Sequence, residues 1–175
     1  HFVQSFHPWL IEGVSTYGFE LFSSVGDLDT VYVPIGLGSG ICSVIAARDA
    51  FGLKTKVVGV VSANAAAYSL SFKAGKAIAT NSADTLADGM ACRVPVEDAV
   101  AQINKGADRI VELTEDEIKA AMRIYFDDIH NVAEGAGAAG LAALLKEGAA
   151  KAGRKAAVVL SGGNVDAPLF RDVLA

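Results

Sequence analysis

Four short runs rich in β-branched and apolar residues, Thr30 to Ile35, Lys56 to Val61, Asp108 to Leu113 and Lys155 to Leu160, recur along the chain with helix-length segments between them. A run that stays apolar without strict alternation suits a strand covered on both faces, and strands joined by helices suit parallel pairing. The predicted fold is α/β: a three-layer, open, mostly parallel sheet with helices on both faces.

The intervening segments carry helix signals. Apolar residues run near helical spacing from Ile11 to Val25 and stop at Gly26-Asp27. Ile41 to Phe51 reads as a helix ended by Gly52, and Ser62 or Asn64 caps another that runs through Lys73 to Gly75. Lys76 to Arg93 has little periodicity and is expected to be a long loop. Val96 to Asn104 reads as a helix, and Thr114-Glu115-Asp116-Glu117 has the form of a capping box opening a helix to about His130. Ala133 to Glu147 is a small-residue helix with Gly148 as its stop. No internal repeat, low-complexity tract or interdomain linker interrupts this order.

Composition narrows the function classes. With 175 residues, 52% hydrophobic and 20% charged, the chain can bury a core and is not disordered. A mean hydropathy of +0.38 raises the question of a membrane span. The two long uncharged stretches, Thr30 to Ala47 and Val57 to Phe72, are broken by glycine, serine, asparagine or proline, as buried strand, loop and helix would be. The net charge of −5 and the absence of a Lys/Arg cluster argue against a nucleic-acid partner. Cys42 and Cys92 have neither metal-ligand spacing nor the density of a disulfide framework, and read as buried thiols of a cytoplasmic protein. The chain begins at His1 with no signal-peptide pattern, so its first residue is expected to be a cut end.

Chemistry concentrates at two strand ends. Gly36-Leu37-Gly38-Ser39-Gly40 follows one strand and opens a helix. Glycines allow backbone amides to approach an anion, and a helix N-terminus adds partial positive charge, so phosphate binding competes with a plain βα turn. A dinucleotide would want an acidic residue at the end of the next strand; here Val60-Val61-Ser62 follows, and no Asp or Glu comes before Asp84. The second feature is Ser161-Gly162-Gly163-Asn164. Alone it is a turn; at the same sheet edge as a phosphate loop, it offers the neutral hydroxyl that a phosphorylated heteroaromatic ring would need.

In this order the motifs resemble the fold-type II pyridoxal-phosphate enzymes of the serine/threonine dehydratase group, over essentially the whole chain. Gly13, Thr16 and Glu20-Leu21 resemble the family's glycine-x-x-threonine helix start. Val33-Pro34-Ile35-Gly36-Leu37-Gly38-Ser39-Gly40 resembles its phosphate loop, with Leu37 and Ser39 in place of glycines. Thr85-Leu86-Ala87-Asp88-Gly89 resembles a segment beside the cofactor. Glu134 to Ala139 resembles a Glu-Pro-Ser-Gly-Ala-Ala stretch whose glutamate lines the cofactor pocket, with Gly135 replacing the proline. Leu160 to Asp166 resembles the stretch whose serine bonds the pyridine nitrogen.

The resemblance implies the tryptophan-synthase-β-like fold, with residues 1–175 a cofactor-binding large-domain portion of a longer enzyme. It implies pyridoxal 5'-phosphate as cofactor, held by Gly36, Leu37, Gly38, Ser39, Gly40, Gly89, Glu134, Ser161 and Gly162, with Ser161 as the pyridine-nitrogen partner. The family's Schiff-base lysine and its substrate-carboxylate loop both precede the residues present, and none of the nine lysines sits in a matching context. The metal-activated branch carries Glu-Pro after the second strand and an aspartate six residues beyond that glutamate, where this chain has Val61, Ser62 and Ala67, so no metal is expected.

The implied reaction is β-elimination of L-threonine, L-serine or a related 3-hydroxy amino acid to a 2-oxo acid and ammonia. Racemisation, dehydration of an aryl or acidic 3-hydroxy amino acid, and a merely phosphate-binding or structural half-domain are the alternatives. Implied partners are the amino-acid substrate, the missing N-terminal half and further copies in a dimer or tetramer, with no nucleic acid and no membrane. The chain's end at Ala175, soon after Ser161, leads us to expect an enzyme without isoleucine feedback.

Overall fold

The computed structural model describes residues 4–175, so His1 lies outside the described residues. In chain order the elements are α1 (Pro8–Ser24), β1 (Thr30–Pro34), α2 (Ser39–Ala50), β2 (Lys56–Ser62), α3 (Ala67–Ala74), α4 (Glu97–Gly106) and β3 (Arg109–Leu113). They continue with α5 (Glu115–Ile129), α6 (Gly135–Glu147), α7 (Ala149–Ala152), β4 (Ala156–Val158) and α8 (Ala167–Leu174). The four strands pair in the order β3-β2-β1-β4, every pair parallel. Val31 lies beside Val57, Tyr32 beside both Val58 and Val158.

Alternation along the strands feeds two separate cores. Val31, Val33 and Ile35 point with Val57 and Val61 into a cluster with Ile11 and Phe22 of α1, Ile41 and Val44 of α2, and Ile103 of α4. Tyr32, Val58, Val60 and Leu113 point the other way, toward Ile118 and Met122 of α5, Ala139 and Ala143 of α6, and Val173 of α8. This is the three-layer sandwich expected of strands buried on both faces. Burying one Val or Ile side chain is worth about 1.5–3 kcal/mol, and the central pair β1 and β2 buries nearly all of its own.

Local signals account for most element ends. The capping box is complete: Glu117 N donates to Thr114 Oγ1 at 3.2 Å and Thr114 N to Glu117 Oε2 at 2.8 Å. Gly75 and Gly148 close α3 and α6 at φ of 70° and 68°. Ser62 accepts from Asn64 N and caps the short 3-10 turn Ala63–Ala65 before α3. The expected loop of residues 76–93 holds one 3-10 turn, Asp88–Met90.

Five elements differ from the sequence reading, among them α7, which forms from residues left unassigned after Gly148. Helix α1 starts at Pro8, because His7 Nδ1 accepts from Trp9 N and proline suits the first helical turn. Helix α6 starts at Gly135, because Glu134 spends its own amide on Gly162 O. Strand β4 has three residues and pairs with β1 alone. Helix α8 forms from residues left unassigned, with Pro168 in its first turn.

Cys42 and Cys92 are free and buried. Burial pushes the Cys42 thiol up to about 12, so it is inert at neutral pH. At the N-terminal ends of the strands, Glu147 at the end of α6 is 6% exposed and gathers three elements. It accepts from Tyr32 Oη of β1 at 2.7 Å and from Arg109 Nε of β3 at 2.8 Å, and a second Arg109 nitrogen pairs with its other oxygen. Among the described residues, no helix is long and apolar enough to cross a membrane.

Candidate cofactor-binding site

The carboxyl end of β1 is continued by Ile35, whose amide donates to Val60 O at 2.9 Å. The chain then turns through Gly36 and Leu37 to Gly38, the N-cap of α2, at φ 97°. A Cβ on Gly36 would stand 2.4 Å from Gly89 O, so only glycine permits this approach. Among the described residues, no protein acceptor takes a hydrogen bond from the amides of residues 36–41. Buried or half-buried amides need partners. A row of such donors at the start of a 12-residue helix could hold an anion.

Beside it, Val159 N donates to Tyr32 O at 3.0 Å and carries the β4 pairing one step further, toward Leu160 and Ser161. A cleft of about 410 Å³ lies between these two strand ends. Ser39 and Gly40 line one side and Ser161 the other, with Val14, Tyr17, Val33 and Pro34 between them. The structure thus brings Ser39 and Gly40 of the glycine loop to one cleft with Ser161, whereas Gly36, Leu37 and Gly38 do not line it.

Gly89 and Glu134 line a neighbouring cleft of about 380 Å³, together with Leu86, Asp88 and Asn164. The two clefts are separated by close backbone approaches. Gly36 abuts Gly89, a Cβ on Gly162 would stand 2.7 Å from Glu134 Oε1, and a Cβ on Gly137 would stand 2.2 Å from Gly162 O. Glu134 N donates to Gly162 O at 3.1 Å. Gly36, Gly89, Glu134 and Gly162 therefore converge, yet Glu134 and Gly89 do not open on the cleft that holds Ser161. Leu37 points outward, 37% exposed, and contributes backbone to the loop.

Several residues that shape the site were not singled out from sequence. Tyr68 Oη donates to Leu37 O at 2.7 Å, and Tyr17 Oη donates to Gly40 O at 3.0 Å. Glu115 accepts from Thr85 Oγ1 at 2.8 Å, Leu86 N at 2.7 Å and Ser62 Oγ at 2.7 Å, tying the segment before Gly89 to the end of β2. The acid in the first turn of α5 was visible in the sequence; its three donors come from elsewhere in the chain. Among the described residues, no cluster of three or more His, Cys, Asp or Glu could hold a metal, and no lysine lines either cleft. Lys73, Lys146 and Lys155 instead pair with Glu112, Glu117 and Asp27.

The chain was compared with known proteins on sequence and on fold. The family described as pyridoxal-phosphate dependent enzyme matches residues 1–162. The L-threonine ammonia-lyase of Thermotoga maritima is 35% identical over 174 residues, which are 99% of this chain and 43% of that protein. The processed form of threonine deaminase isoform 2 from Solanum lycopersicum superposes with a TM-score of 0.89 at 29% identity, covering 95% of this chain and 47% of that one. Serine racemase from Dictyostelium discoideum superposes at 0.80 and 30% identity, covering 89% and 50%. The chain spans about half the length of the curated relatives it matches. With that family matched along nearly its whole length, on an open parallel sheet of the same fold as these neighbours, the chain belongs to the pyridoxal-phosphate dependent enzymes.

Proposed function

We propose that this chain is the cofactor-binding portion of a pyridoxal-phosphate dependent ammonia-lyase. Its substrate is L-threonine, L-serine or a related 3-hydroxy amino acid, converted to a 2-oxo acid and ammonia. One observation carries the reading: Ser39 and Gly40, whose amides donate to no protein acceptor among the described residues, line one cleft together with Ser161. That donor set fits a phosphate at one end of a flat ring and a ring nitrogen at the other. Relatives that bear the name threonine ammonia-lyase support the substrate class.

The amides of Gly36, Leu37, Gly38, Ser39 and Gly40, with the Ser39 hydroxyl, hold the phosphate. Gly89, Glu134 and Gly162 shape the wall beside the ring. When bound, pyridoxal phosphate supplies the electron sink for the bonds at the substrate's α-carbon. Ser161 sets how strongly that sink pulls. A neutral hydroxyl does not hold the pyridine nitrogen protonated as a carboxylate would, which favours loss of the β-hydroxyl over transamination. The lysine for the aldehyde carbon comes from the remainder of the polypeptide, which also covers the half-exposed strand β4. The assembled enzyme works in the cytoplasm as a dimer or tetramer. A racemase reading stands second, supported by the serine racemase neighbour.

The full-length enzyme should release ammonia and a 2-oxo acid from threonine or serine, whereas the 175-residue chain alone, supplied with the cofactor, should release none. Ser161→Ala should slow elimination and weaken cofactor binding by about 0.5–1.5 kcal/mol, the usual worth of one such hydrogen bond. Unchanged kinetics and an unchanged cofactor spectrum in Ser161→Ala would refute its role. Conversion of L-serine to D-serine without ammonia would select the racemase.

A further inference from the structure

The loop that follows β1 is held from behind by hydroxyl groups. Tyr68 Oη donates to Leu37 O at 2.7 Å, Ser43 Oγ to Ser39 O at 2.6 Å, and Tyr17 Oη to Gly40 O at 3.0 Å. Three of the loop's carbonyls are thereby bound to protein donors, while its amides donate to none among the described residues. In a trans peptide the carbonyl and the next amide lie in one plane and point in opposite directions. Fixing the Leu37 carbonyl therefore directs the Gly38 amide away from Tyr68.

Tyr68 is built for this. Its side chain rises from α3, is 2% exposed, and its oxygen also accepts from Val96 N at 3.2 Å, at the start of α4. The hydroxyl thus joins α3, the segment leading into α4 and the loop at one atom. Gly38 has no slack on the same side: a Cβ there would stand 2.8 Å from Ala99 Cβ and 3.4 Å from Tyr68 Oη. With neither hydrogen bond, the Leu37–Gly38 peptide would be free to rotate, and a carbonyl oxygen turned outward would repel a phosphate.

We propose that Tyr68 is a positioning residue that makes this loop selective for the phosphorylated form of the cofactor, by locking the Leu37–Gly38 peptide with its amide outward. Tyr17 performs the same service for the Gly40 carbonyl at the first turn of α2. The inference rests on the reading of the loop as the phosphate site and adds Tyr68, which lies outside the lining of the cleft, and Tyr17, which is part of it. Burial raises the pKa of both phenols, so each remains a protonated donor at neutral pH.

The test uses the full-length enzyme stripped of cofactor, titrated with pyridoxal phosphate and, separately, with pyridoxal, which lacks the phosphate. Tyr68→Phe keeps the ring and removes the donor. It should lower the affinity for pyridoxal phosphate about tenfold and change that for pyridoxal by less than about twofold, and the phosphorus NMR shift of the bound cofactor should move. Tyr17→Phe should act in the same direction and covers the case in which Tyr68→Phe does not fold. A parallel loss for both compounds, or no loss for either, would overturn the positioning role and leave the loop as phosphate site standing. A wild-type enzyme that binds the two compounds equally would overturn the phosphate site and this inference with it.

Discussion

Replacing Glu147 by alanine is expected to lower stability by about 3–5 kcal/mol, the cost of breaking a buried ion pair from one side. Glu147 is 6% exposed, and its removal leaves the Arg109 guanidinium, itself 23% exposed, with Asp108 as its remaining carboxylate partner and takes the acceptor from the buried Tyr32 hydroxyl. The hydrogen bonds from Arg109, and then that from Tyr32, hold the Glu147 carboxyl below the usual carboxylate range against the opposing effect of burial. Burial and the adjacent Glu147 push the Tyr32 phenol up to about 12, so it remains a donor at every pH of interest. A carboxyl whose folded pKa is depressed stabilises the fold fully above its unfolded pKa of about 4.3 and loses that contribution as pH falls through the folded value. Wild type and Glu147→Ala should therefore differ most near neutral pH and converge in acid. Denaturant unfolding at a series of pH values measures this, and a difference that stays constant into acid would contradict it.

The second large effect is expected at Gly137. Alanine ordinarily favours a helix interior over glycine by about 1 kcal/mol. Here its Cβ would lie 2.2 Å from Gly162 O and 3.2 Å from two further backbone atoms of Gly162. Backbone cannot swing aside as a side-chain tip can, so α6 and the Ser161–Gly163 segment must separate. Overpacking of this kind costs roughly 1–3 kcal/mol, and the displaced Ser161 should weaken cofactor binding as well. Gly13, on the exposed side of α1, has nothing within 4 Å of an added Cβ. Gly13→Ala should accordingly stabilise by about 0.5–1 kcal/mol. Unfolding curves of the two variants, with cofactor titrations, give the comparison; a Gly137→Ala protein as stable as Gly13→Ala would show that the close approach is not needed.

Strands and most helix ends were readable from the chain because their signals are local. The run from Thr30 to Ile35, the capping box at Thr114 and the stops at Gly75 and Gly148 each depend on residues within a few positions. The glycine loop of residues 36–40 and Ser161 stood out as candidates because residue type at a strand end is a local signal. What escaped depends on pairs brought together by the fold. Tyr17 and Tyr68 sit in buried helix faces and read as ordinary core aromatics; their acceptors lie 23 and 31 positions away. Glu147 reaches partners 38 and 115 positions away. The length of β4 was overestimated, because an apolar run becomes ladder only where a neighbour pairs with it, and here one neighbour pairs with three residues. The glycines of α6 read as small-residue packing, with no sign of which would meet Gly162.

The order β3-β2-β1-β4 gives the two ends of the cofactor cleft unequal footing. The glycine loop of residues 36–40 issues from a strand paired on both sides, with Thr30 to Val33 buried. Ser161 issues from a half-exposed strand paired on one side. Local opening begins where backbone bonds are few and exposed, and reaches doubly paired strands last. Within residues 4–175 the cleft thus has one fixed jaw and one yielding jaw: Ser39 and Gly40 stand on the doubly paired interior of the sheet, and Ser161 on its margin.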